Sequence, residues 1–142
     1  MREIYERSKI AETHESRLQQ VAKEIFGKKK DINFVIIDDE IPYIAGLAET
    51  ERFIPAVLND VAKMAGLKIY IENNSPKEFI KALRFSRAVV VREVGAVFIG
   101  KTQFDAELVA EVTEKGAKAY VEATILGGAR RISRFDALRM RR

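Results

Sequence analysis

The sequence has no cysteine and a single histidine, His14. Without cysteine there is no disulfide, thiolate metal site, redox dithiol or cysteine nucleophile. One imidazole cannot build a zinc site that draws on several histidines of the same chain, so the multi-histidine metal classes are excluded as well. No apolar run reaches the roughly 18 residues that a membrane-crossing helix needs. The opening residues, MREIYERSKIAE, are charged and lack the apolar block of a signal peptide, so the expectation is a cytoplasmic protein with no membrane span. Asparagine and glutamine are also scarce, at seven in all, which together with the high charge suits a heat-tolerant source. A one-sided charge is missing too. The 25 basic and 21 acidic residues leave a net charge of +4, and the signs alternate along most of the chain, the pattern of a solvated surface.

What is present suits one domain over residues 1–142. The chain is 47% hydrophobic, enough to bury a core, and it contains no linker, repeat or low-complexity stretch. Two basic clusters stand out, Lys28 to Lys30 and the tail from Arg130 to Arg142, where six arginines face the single acid Asp136. Clustered cations gain from counterion release on nucleic acid, but only Phe135 offers a ring for stacking, so a subunit boundary or solvent is the expected surrounding of the tail. Lys28 to Lys30 reads as a solvated turn.

Periodicity places the elements. Leu18, Val21, Ala22 and Ile25 predict an amphipathic helix from about Thr13 to Phe26 closed by Gly27, with residues 2–10 extending it or forming a separate turn. Ile32 to Ile37 predicts a buried strand ended by Asp38, Asp39 and Glu40. Pro55 and the stripe Val57, Leu58, Val61, Ala62 predict a helix over 54–65, capped by Gly66. Leu67 to Glu72 alternates like a strand with one wet face. Ser75-Pro76-Lys77-Glu78 opens a helix through Leu83 with a capping-box pattern. Ala88 to Val91 and Ala96 to Ile99 predict a hairpin turning at Gly95. Thr102 to Asp105 caps a long helix stopped by Gly127-Gly128, and Gly116 inside it marks a close helix contact. A last short helix follows Ser133.

The run GAVFIGKTQFDAELVAEVTEKGAKAYVEATILGGARRISRFDALRM resembles the end of the class II aldolase and adducin family. FIPAVLNDVAKMAG (53–66) is similar to the segment joining the halves of that family's sheet. Ile25-Phe26, Lys29-Lys30 and Asp31-Ile32-Asn33 resemble the stretch leading into its metal strand. The resemblance covers residues 18–142 and implies an α/β domain, a central mixed or antiparallel sheet flanked by helices in three layers, with the family's phosphate-gripping N-terminal portion having no counterpart. Active members hold a zinc ion on three histidines to stabilise an enediolate, a metal lowering the cost of the developing oxyanion. Here the resemblance puts the paired histidines within Ile37 to Glu40 and the third at Val94, and the acid/base glutamate near Leu18. It therefore implies that the zinc chemistry is lost.

The site residues that follow are Asp38, Asp39, Arg92 and Glu93, which the family geometry would set beside the former zinc position. Asp38, Asp39 and Glu40 are hard-ligand oxygens of the kind magnesium, calcium or manganese takes, or they simply end a strand in solvent; three consecutive acids cannot all aim at one ion. Arg92 has the planar fork for a carboxylate or phosphate, or pairs with Glu93, Asp38 or Asp39. His14 precedes a helix outside this region and reads as a surface residue. The expectation is a non-catalytic homologue without cofactor or metal, a pseudoenzyme assembled as a homo-oligomer, tetramers being common in the family, and binding at most a small anionic metabolite. The alternative is a sugar-phosphate or keto-acid enzyme, aldolase- or lyase-like, acting through Asp38, Asp39 and Glu93 with or without a divalent metal.

Overall fold

A computed structural model describes residues 2–10 and 16–126 of the chain. Strands β1 (Arg2–Glu6), β2 (Phe34–Asp38), β3 (Phe53–Pro55), β4 (Lys68–Glu72), β5 (Ala88–Val91) and β6 (Gly95–Gly100) form one sheet in the order β1-β2-β6-β5-β4-β3. All neighbours are antiparallel except β4 and β5, which run parallel. Helices α1 (Arg17–Lys28) and α4 (Pro76–Ala82) cover one face of the sheet; α2 (Pro42–Thr50), α3 (Asn59–Met64) and α5 (Gln103–Ile125) cover the other. This is the layered α/β architecture expected from the sequence.

Strand alternation divides the core in two. Val35, Ile37, Val89, Val91, Val97 and Ile99 point to the α1 and α4 side, where they meet Val21, Ile25 and Phe79. Ile36, Val90, Ala96 and Phe98 point to the α5 side and meet Val109 and Ala110. Because β2, β5 and β6 are buried on both faces, their sequences read as unbroken apolar runs, and the two-residue period that would locate their faces is hidden.

Several boundaries depart from expectation. Residues 2–6 are an edge strand, not a helix: backbone pairing with β2 from Arg2↔Asp38 to Glu6↔Phe34 overrides the helical preference of a charged segment. The helix predicted over 54–65 is instead β3 followed by the shorter α3. Pro55 sits on a sheet edge opposite Lys68, where its missing N–H leaves no ladder bond unmade. Helix α1 runs past Gly27 to Lys28. Ser16 caps it through the Gln19 N–H, and Thr102 caps α5 through the Asp105 N–H. Ser75 makes no side-chain cap; its carbonyl accepts from Glu78 and Phe79 instead. Helix α2 was not anticipated. Gly116 meets Val61 of α3 so closely that a β-carbon would collide with the valine side chain. The glycine pair at 127–128, the residues expected to form a helix after Ser133, the arginine tail and His14 lie outside the described residues.

Candidate functional site

A cleft of about 620 Å³ opens where the end of β2, the β5–β6 turn and α2 meet. Its floor is apolar, made of Ile41, Ile44, Ala48 and Val90, and its rim is charged. Asp38, Asp39, Arg92 and Glu93 all line it, joined by Glu49 from α2. The four residues singled out in the sequence are thus neighbours on one opening, brought there because antiparallel pairing of β2 with β6 sets Asp38 opposite Ala96.

The side chains are not poised alike. Asp38 is almost covered, at 12% exposure; its Oδ2 accepts from Arg2 Nε at 2.9 Å and its Oδ1 from the Glu40 N–H at 2.9 Å. Both oxygens are therefore engaged, one in an ion pair with β1 and one in a turn that redirects the chain out of β2. Arg92 does not reach Asp38, Asp39 or Glu93 with any hydrogen bond. Its guanidinium donates to the carbonyls of Ala48 and Glu51 and to Asn73 Oδ1, each at 3.3 Å. A cation is thereby set on the last carbonyls of α2, where the helix leaves acceptors without intrahelical partners. Neither the mutual pairing of Arg92 with Glu93 nor its pairing with the aspartates occurs.

Glu93 occupies the third residue of the β5–β6 turn with φ +68°, and the turn closes through the Val94 N–H to the Val91 carbonyl at 3.0 Å. Its own carbonyl accepts from Arg17 at 3.0 Å. Gly95 follows with φ +138°; a β-carbon there would lie 2.6 Å from the Asp38 carbonyl oxygen, so only glycine lets the turn press against the end of β2. Next to Arg92, burial pushes the Glu72 carboxyl above its usual pKa; Glu78 adds to the rise, and Arg92 and Lys81 oppose it.

A zinc ion in the manner of the resembling family does not fit these residues. Val94, the position the resemblance assigns to the third histidine, is 3% exposed and packs into the α1-side core, and both Asp38 oxygens already have partners. Among the described residues no three histidine, cysteine, aspartate or glutamate side chains are grouped to hold a metal ion. No helix among them is long and apolar enough to cross a membrane.

Two features beside the cleft are missed by the reading of the sequence. Arg2 is 36 residues from Asp38 and meets it only through strand pairing. Helix α2 did leave a signal: Pro42 at its first turn and Ile41, Ile44 and Leu47 at three-residue steps.

The fold has counterparts among solved structures. An L-fuculose 1-phosphate aldolase matches with a TM-score of 0.76 and 21% identity, over 85% of this chain and 59% of its own. The L-fuculose-1-phosphate aldolase of Thermus thermophilus matches with a TM-score of 0.67 and 15% identity, over 81% of this chain and 65% of its own. YgbL of Escherichia coli matches with a TM-score of 0.64 and 14% identity, over 86% and 63%. The chain spans about three fifths of the length of these proteins. No protein-family model matches it, and no curated protein matches it significantly in sequence. At these identities the likeness establishes a class II aldolase-like α/β fold and nothing finer.

Proposed function

We propose that this chain is a non-catalytic relative of the class II aldolases that works as a homo-oligomer, its cleft kept as architecture and not as a metal-assisted carbon–carbon lyase. One observation carries the reading: Asp38 and Arg92, the partly buried ionisable groups of the cleft, are both committed to holding elements together. Freeing either for chemistry breaks a strand-end ion pair or a helix cap. The rim also opposes the small anion expected above, since Glu49 and Glu93 outnumber the single guanidinium of Arg92 while Asp38 is already paired with Arg2.

The test is cleavage of L-fuculose 1-phosphate by purified protein supplied with excess zinc. The expected rate is that of buffer with zinc alone. A saturable rate above it, lost on Asp38→Asn, would overturn the proposal.

The second reading, an enzyme acting through carboxylates, is favoured by the placement of Asp38, Asp39 and Glu93 on one opening. It requires Asp38 to leave Arg2. It predicts a magnesium-dependent rise in melting temperature that Asp39→Asn abolishes, because an ion bound only by the native state stabilises it by mass action. The first reading predicts no such rise.

A further inference from the structure

A second cleft, of about 530 Å³, lies at the opposite end of the sheet. Strand β6 spans the distance, with Gly95 at the first cleft and Gly100 at the second, roughly 17 Å apart at the usual rise of a strand. The charge is reversed there. Lys29, Arg84, Arg87 and Lys101 line this cleft against two acids, Asp31 and Asp105, and among the described residues no carboxylate pairs with any of the four cations. Among the described residues, the only side-chain hydrogen bond made by these four cations is a long one, 3.4 Å from Arg87 to the Met64 carbonyl.

Unpaired like charges gathered in a concavity repel one another, and an arriving anion relieves that repulsion. The two cations in excess match the charge of a phosphate monoester near neutral pH, which is about −1.5 to −2. Two arginine forks suit its oxygens, and two lysines add point charge. The floor is apolar, with Leu83, Ile99 and Val109 buried, while Phe85 stands on the rim 62% exposed. A largely exposed phenylalanine beside a basic cleft offers a face for a flat ring. Gly100 lines the cleft where α5 begins: a β-carbon there would lie 2.6 Å from the Ala106 nitrogen, so the first turn of α5 packs directly on the strand end.

We propose that this second cleft binds a phosphate-bearing small molecule with a flat or apolar body, its phosphoryl group held by Arg84, Arg87, Lys29 and Lys101 and its body against Phe85. The proposal does not depend on what the first cleft does.

Adenosine monophosphate, adenosine and inorganic phosphate serve as probes, titrated separately into the full chain and followed by backbone-amide NMR shifts and calorimetry. Adenosine monophosphate is expected to move the amides of Ser86, Gly100 and Lys101 and to leave those of Asp39 and Glu93 in place. Phosphate should move the same amides at higher concentration. Arg84→Gln and Lys101→Gln, both at exposed positions, should each weaken the nucleotide about tenfold, the worth of one charge-assisted hydrogen bond. Phe85→Ala should weaken the nucleotide and leave phosphate unaffected. Amides that stay still at millimolar nucleotide and phosphate would overturn the proposal. So would shifts centred on residues 92–95, affinities indifferent to Arg84→Gln and Lys101→Gln, or a self-association dissolved by Arg84→Gln with no nucleotide effect.

Discussion

Glu93 holds a left-handed backbone conformation, φ +68°, at a turn position where glycine is favoured. An L-residue with a β-carbon is disfavoured there by about 1 kcal/mol or more. If the side chain has no ligand to hold, Glu93→Gly should raise unfolding stability in urea by up to about 1 kcal/mol, reduced by the greater freedom of glycine in the unfolded chain. A loss of stability would show that the glutamate side chain makes a contact worth more than the strain. Glu72, the other carboxylate near Arg92, has a raised folded pKa, chiefly from burial. The native state then keeps its proton at a pH where the unfolded chain has lost it, so stability falls as pH rises from the ordinary glutamate pKa through the folded one. Glu72→Gln should therefore raise the melting temperature at neutral pH, and the gain should vanish below the ordinary glutamate range. A gain that persists in acid would assign the effect to packing. At this scale the sequence told which acids and which arginine gather at the cleft, through the resemblance, but not what they bind. Arg2 and Asn73 become partners of Asp38 and Arg92 only after strands distant in sequence have paired.

Two helix ends are closed by arginines from elsewhere in the chain. Arg92 caps α2, and Arg7 reaches the carbonyls of Phe26, Lys29 and Ile32 around the end of α1 while stacking over the Phe26 ring. Hydrogen bonds from a charged donor are worth about 1.5–3 kcal/mol when the acceptors are otherwise left unmet. Arg7→Ala should cost about that much in chemical denaturation, and hydrogen exchange should quicken first in the last turn of α1; uniform quickening would point to a global effect instead. The contact of Gly116 with Val61 makes a second test. Alanine gains about 1 kcal/mol of helix preference over glycine, but overpacking costs typically 1–3 kcal/mol. Gly116→Ala should destabilise on balance, and adding Val61→Ala should recover part of the loss, a coupling that a double-mutant cycle measures. Elements whose signals are local, such as the β5–β6 hairpin and the capped start of α5, were legible in the sequence. Those set by distant pairing were not: β1 is polar and reads as helix, and Pro55 looks like a helix start until β4 lies beside it.

On the scale of the whole molecule, α5 outruns the sheet it covers. Its buried positions end at Ala117, and Ile125 and Leu126 stand 76% and 87% exposed. Apolar side chains at the tip of a long helix suit contact with a further copy, the support here for the homo-oligomer. Sedimentation should show an assembly larger than one chain that Ile125→Asp reduces; a monomer at all concentrations would remove that part of the account. The central claim, that the first cleft does not hold a transition metal, is tested most directly by the melting temperature of the metal-stripped chain as zinc chloride is titrated in. The account predicts no rise. A rise that saturates at one zinc per chain and disappears on Asp38→Asn would contradict it.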